Sequence, residues 1–368
     1  MVAQLPPGTD GVDAGKTGAL TGTEQTAVVP RSDPSVPLPF TRTVFEGTGG
    51  RGPVHTRPKP KRWGPYSVAQ WLGAAVVGGA ALVVLAAMAV LAVRWLLSLD
   101  VMQEFLGTYP GEYHLPDSAP VGIPAWLGWQ HFFNFFLIAL IIRSGLQVRH
   151  ETRPSAFWSP RGNPGRKINL SLWFHQSLDI LWVTNGLIYV VLLFTTGQWV
   201  RVVPTSWDVF PNAVSAALQY VSLDWPTENG WVNYNALQQI AYFSTVFIAA
   251  PLAIATGVRM SGIWPKRAKL LSSWYPIEVA RAIHYPTMLY FCVFIVTHVL
   301  LVLATGALRN LNHMFASQGS IQPDAYAANW LGFWLFVASL IAVGAALVAA
   351  RPLILAPIAR LFGTVSSR

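Results

Sequence analysis

The chain has 368 residues, 53% hydrophobic and 11% charged, with a formal net charge of +9 and a mean hydropathy of +0.42. About a quarter of the residues in a soluble domain are charged, so this composition excludes an ordinary soluble globule and points to a membrane protein. The single cysteine, Cys292, excludes a disulfide framework within the chain, a cysteine-ligated iron–sulfur cluster and the C-x-x-C-H attachment of a c-type haem.

Residues 1–65 are rich in Pro, Gly, Thr and Ser and read as a disordered tail. The tail ends in a basic cluster of Arg51, Arg57, Lys59, Lys61 and Arg62. The first apolar run comes too late for a cleaved signal peptide. It forms a first span over 68–97, packed with Ala, Gly and Val, a composition suited to close helix contact. The loop over 98–124 carries Asp100, Glu104, Glu112 and Asp117 but no Lys or Arg. A second span over about 125–146 has His131 near its start. The basic loop after it holds Arg149, Arg153, Arg161, Arg166 and Lys167, and its PRGNPGRK segment is turn chemistry. A third span over about 172–196 has His175 near its start. The loop 197–233 has one basic residue, Arg201. The fourth span, about 235–258, lacks histidine and is interrupted by Pro251. Another basic loop holds Arg259, Lys266, Arg267 and Lys269, with Arg281 at the entrance of the fifth span, 277–305. A sixth span covers about 329–350, and the end of the chain carries Arg351, Arg360 and Arg368.

The loop charges orient these six spans. With both termini in the cytoplasm, every Lys and Arg falls inside except Arg94, Arg201 and Arg309. The positive charge then reflects membrane orientation, and no nucleic-acid partner is expected.

The fifth span, IEVARAIHYPTMLYFCVFIVTHVLLVLAT, carries His284 and His298. Fourteen residues of helix amount to about 21 Å of rise and stop roughly 40° short of four turns. Both imidazoles therefore leave nearly the same face, one toward each side of the membrane. In the expected topology His131 lies level with His298, and His175 level with His284. A low-spin electron-transfer haem takes two strong axial donors from opposite faces, and bundles build such sites from facing helices. The pattern predicts two non-covalent haem b groups, an outer one on His131 and His298 and an inner one on His175 and His284. The alternative for each histidine is a polar residue bonded to a neighbouring helix, although ionisable groups inside membranes are rare and usually functional.

Other groups carry two readings each. Gln130 and Asn134 are candidates to hold the His131 ring or a quinone carbonyl, with helix–helix hydrogen bonding as the alternative. Arg149, Arg259 and Arg281 suit haem propionates on the inner side, with positive-inside anchoring as the alternative. His313, in the outer loop past the fifth span, is a candidate quinone or propionate contact. His55 and His114 read as solvated surface, and His150 reads either as surface or as a propionate contact. Trp126, Trp129, Trp173, Trp199 and Trp330 fit an interfacial aromatic belt.

The pattern resembles the bacterial di-haem cytochrome b proteins that serve hydrogenases, formate dehydrogenases and thiosulfate reductases as membrane subunits. The likeness rests on the four histidines and on QHFFNFFLIALIIRSGLQ, GLIYVVLLFTTGQW and NALQQIAYFSTVFIAAPLAIATG, and covers about residues 125–315. The text is similar to a branch paired with molybdopterin enzymes. The resemblance implies a four-helix di-haem core at 125–315, set within the all-α polytopic bundle of six transmembrane helices that the apolar runs give. An extra span and outer loop over 66–124 precede that core, and a last span with a cytoplasmic tail over 316–368 follows it. It implies a plasma-membrane subunit in membrane lipid that moves electrons between a catalytic redox subunit, of molybdopterin or iron–sulfur type, and menaquinone or ubiquinone. The extra first span inverts the core relative to formate-dehydrogenase-type subunits. Two rival functions remain open: a stand-alone quinone-linked enzyme acting on superoxide or ferric iron, and a non-haem transporter whose histidines relay protons.

Overall fold

The computed structural model describes residues 61–367 except 226–228, 266, 268, 323, 324, 326 and 327. Most of the expected tail, with His55, therefore lies outside the described residues, as does Lys266. The chain divides into two units, Met1–Leu72 and Gly73–Arg368.

In the first unit, strands β1 (Arg62–Trp63) and β2 (Tyr66–Ser67) pair antiparallel. Gly64 takes a positive φ of 62° in the turn between them. Ser67 and Gln70 form a reciprocal capping box that starts α1 (Val68–Leu97).

The second unit is mostly helical. Among the described residues, six helical segments, the first of them beginning in the first unit, are long and apolar enough to cross a membrane, by length and composition. They are α1, α3 (Ala125–His150), α4 (Leu170–Thr195), Ala236–Met260, α9 (Ile277–Ala304) and α11 (Leu331–Ala349). The protein is thus an all-α, multi-pass membrane bundle. Between the spans lie the shorter helices α2 (Asp100–Thr108), α5 (Val209–Ser222), α8 (Lys269–Trp274) and α10 (Ala307–Ala316). The Ala236–Met260 span is composite: α6 (Ala236–Phe243), a π-helical stretch (Ser244–Ala249) and α7 (Ala250–Met260). Pro251 explains the wide turn. It has no N–H to donate, and its ring would clash with the carbonyl four residues back, so the backbone loosens just ahead of it.

The small residues of the first span do not act as expected within the second unit. Gly73, Gly78 and Gly79 have no neighbouring atom within 4 Å of where a Cβ would stand. The span is anchored at its far end instead, where Arg94 Nε donates to the Ser222 carbonyl at 2.7 Å.

The chain beyond the last span is more ordered than a simple tail. It forms α12 (Pro352–Arg360) and strand β5 (Gly363–Ser367). Strand β5 adds antiparallel to β3 (Ala156–Pro160), which pairs on its other edge with β4 (Ile168–Asn169). The PRGNPGRK segment is the turn between β3 and β4. This sheet covers an apolar cluster of Leu170, Trp173, Leu355 and Ala359. Trp173 is therefore core at 9% exposure and not part of an aromatic belt, whereas Trp129 and Trp330 are exposed.

Candidate functional site

Helix α3 runs antiparallel to α4 in the bundle, so His131 and His175, each near the start of its helix, lie toward opposite ends. Helix α9 carries a histidine near each of its own ends. The two ends are built differently.

At the first end, the rings of His131 and His298 have their centres 6.3 Å apart with planes at 62°. Aromatic side chains surround them. Phe135 and Phe315 lie 5.7 Å and 5.8 Å from His131. Phe294, one turn below His298, stacks on it at 5.6 Å and 3°, and Tyr242 meets it edge-on at 6.0 Å. Nδ1 of His131 is buried without a hydrogen-bond partner, and so is Oε1 of its neighbour Gln130. Asn134 does not hold the imidazole; its Oδ1 accepts from Trp182 Nε1 at 2.8 Å, a bond between helices.

At the second end, each histidine is held by a hydroxyl. Nδ1 of His175 is 2.9 Å from Ser144 Oγ on α3, and Nδ1 of His284 is 2.7 Å from Thr256 Oγ1 on α7. The ring tautomer is tied to where each hydroxyl sends its hydrogen. A hydroxyl has one hydrogen. Ser144 donates its hydrogen to the Ile141 carbonyl, and Thr256 donates its own to the Leu252 carbonyl. With the hydroxyls donating in this way, each accepts from Nδ1–H, the tautomer that leaves the lone pair on Nε2; with the hydroxyl donating to Nδ1 instead, the proton sits on Nε2. A glycine follows each hydroxyl residue. A Cβ on Gly145 would stand 3.1 Å from His175 Cε1, and one on Gly257 would stand 3.8 Å from His284 Cε1. The two Ser/Thr-Gly steps give the imidazole edges room against the helix backbones. His175 Nε2 lies 3.8 Å from Asp179 Oδ2, beyond hydrogen-bond range. His284 is within electrostatic reach of both His175 and Asp179.

Between the ends, Trp182 of α4 packs edge-to-face on Phe291 of α9 at 6.1 Å. Phe291 is seven residues from His284 and seven from His298, so this contact separates the two levels.

Among the arginines, the Arg149 guanidinium lies 4.1 Å over the ring of Tyr285, the residue after His284. Arg281 is exposed, one turn before His284. Arg259 is anchored, donating to the Tyr275 carbonyl at 2.5 Å and lying over Trp264. His114 and His150 are exposed. His313 is buried at 4% exposure, with its ring 5.5 Å from Trp231.

Reading single histidines misses the residues that orient them: Ser144, Gly145, Thr256 and Gly257. The available signal is the repeated Ser/Thr-Gly step near the end of two spans. Its pairing with particular histidines depends on helix packing, which no local pattern specifies.

A six-span helical bundle with aromatic-walled and hydroxyl-held imidazoles at two levels has the architecture of a membrane cofactor carrier. The family model for prokaryotic cytochrome b561 matches residues 122–317, and the chain belongs to that family. It is a membrane b-type cytochrome of electron transfer and binds haem b. The chain matches no curated protein and no solved structure.

The residues fit haem. Bonds of about 2 Å from a first-row metal to each imidazole nitrogen, plus the ring radii, require ring centres about 6 Å apart, and His131 and His298 stand at 6.3 Å. At the other end a hydroxyl stands at Nδ1 of each imidazole, and its accepting from Nδ1–H leaves Nε2 in the form that ligates iron.

Proposed function

We propose that the protein carries two haem b groups, one between His131 and His298 and one between His175 and His284. It passes electrons between a redox partner subunit and the quinone pool. What supports this reading is the 6.3 Å approach of the His131 and His298 rings from different helices, with His284 within electrostatic reach of His175 at the other end. Bound haem supplies a reversible one-electron carrier at each level.

The chain's own residues hold and tune these groups. Ser144 and Thr256 accept from Nδ1–H of His175 and His284, fixing ring orientation and keeping Nε2 unprotonated. Phe135, Phe294 and Phe315 exclude water around His131 and His298. Arg149 and Arg281, near His284, are the groups on that side chemically matched to propionates. The core is residues 125–315, with 1–65 a cytoplasmic tail, 66–124 an added span and loop, and 316–368 a final span and tail. Both termini face the cytoplasm of the plasma membrane, which puts His131 and His298 on the outer side. The quinone is menaquinone or ubiquinone, and the partner is of molybdopterin or iron–sulfur type.

A pyridine-haemochrome assay on purified protein tests the haem count. Two haems per chain are expected, one removes a level, and none ends the proposal. Purification from native membranes tests the partner: a catalytic redox subunit should accompany the protein. Activity of the isolated chain on superoxide or ferric iron would favour the stand-alone enzyme instead.

A further inference from the structure

Among the described residues, two arginines near His131 and His298 have no counter-charge. Arg201, in the turn Gln198–Arg201, is 1% exposed. Its Nη1 donates to the Gly122 carbonyl at 2.8 Å, its Nη2 to that of Gly230 at 2.5 Å, and its guanidinium lies 4.5 Å over Tyr234. Its Nε is buried without a partner. Arg309, on α10, folds back over Gly306, donates through Nη2 to the Thr305 carbonyl at 3.3 Å, and also has a buried, unpartnered Nε. Gly306 takes a φ of 130°, which allows this turn.

Carbonyl oxygens and an aromatic face satisfy donors but do not neutralise charge. Among the described residues no carboxylate lies within ion-pair distance of Arg201 or Arg309. Both guanidinium charges act on His313, whose imidazole is held down to about 4 by burial first, then by Arg309 and Arg201. For Arg201, which is buried, a charge without a partner of opposite sign is strongly unfavourable.

The cluster borders the first histidine pair. Tyr234 under Arg201 contacts Tyr242 at 5.3 Å, and Tyr242 contacts His298. Helix α10 carries Arg309 and His313 and also Phe315, which contacts His131. An open surface cleft lies along Thr305–Arg309.

We propose that Arg201 and Arg309, with His313 beside them, form a carboxylate-binding site at the His131/His298 end. A guanidinium fork with a free Nε matches a planar carboxylate. The carboxylate has two possible sources, a propionate of the haem held there or a free carboxylate, and the first rests on the function proposed above.

The test is a redox titration of the purified full-length protein between pH 6 and 8, with Arg309→Gln and Arg201→Lys. Acetate and chloride are added at matched ionic strength, and haem-to-protein ratio and gel filtration confirm folding. If the site holds a propionate, Arg309→Gln lowers one haem potential by the equivalent of tenfold or more, 59 mV for a one-electron couple. It also gives that haem a new pH dependence, because a carboxylate stripped of its cation takes up protons at higher pH. Acetate then has no effect. Arg201→Lys, which keeps charge and loses the fork, moves the same haem less. If the site takes a free carboxylate, acetate but not chloride raises the wild-type unfolding temperature saturably, and Arg309→Gln abolishes the rise. An unchanged potential, or a uniform fall without pH dependence, together with no response to acetate, overturns the site. Absence of haem from the wild type would defeat the proposed function alone, with the acetate response then deciding the site.

Discussion

The two ends of this bundle hold imidazoles by different means. At the His175/His284 end, hydroxyls lock both rings through Nδ1, glycines make room, and the carboxylate of Asp179 stands nearby. At the His131/His298 end Nδ1 of His131 has no partner, phenylalanines wall the rings, and uncompensated arginines lie close. The first arrangement fixes ligand orientation by hydrogen bonding; the second relies on packing and exclusion of water.

The largest effect that would break this comparison comes from removing ligands. Alanine at His175 or His284 should leave one haem per chain with the spectrum of the other level, and alanine at His131 or His298 should do the reverse. Loss of both haems from every variant would show that the levels are not independent. Next in size is overpacking. Gly145→Val places atoms where the His175 ring lies and should cost about 1–3 kcal/mol, seen as selective loss of one haem on purification. Thr256→Val keeps the shape and removes the hydroxyl acceptor. It should weaken retention of that haem about 10- to 100-fold and shift its electron paramagnetic resonance signal alone. An unshifted spectrum would remove the distinction between the ends.

A smaller effect concerns pH. His313 has an ordinary value of 6.5 but is held to about 4 in the folded chain, by burial first and then by Arg309 and Arg201. Between those values the unfolded chain binds the proton and the folded chain does not. Its stabilising contribution is therefore present above 6.5 and lost as pH falls toward 4. Thermal unfolding in detergent should show a loss of about 1–3 kcal/mol over that window, flattened in His313→Asn. The smallest effect is expected at Arg281, which is exposed; Arg281→Gln should change stability by less than about 0.5 kcal/mol.

Much of this was legible in the amino-acid order. Apolar runs of about twenty residues admit one secondary structure in lipid, because every backbone group must bond within its own segment. Fourteen-residue spacing sets a common helical face for His284 and His298 by geometry alone. The turn between β3 and β4 followed from Pro and Gly chemistry. Contacts between distant segments were not legible. Trp173 reads as an interfacial tryptophan until β5 returns from the far end of the chain to cover it. Asn134 sits beside His131 in sequence yet bonds to Trp182 across the helix interface. Arg201 and Arg309 look like two stray cations in outer loops; only folding buries Arg201 and brings both to act on one histidine.

The sequence by itself determined which segments cross the membrane and how far apart the histidines of one helix stand, since both depend on local bonding and helical pitch. Only the tertiary structure decided which hydroxyl meets which imidazole, and which charges remain unanswered. Those outcomes depend on the rotation and approach of separate helices, which side-chain packing sets and no single segment encodes.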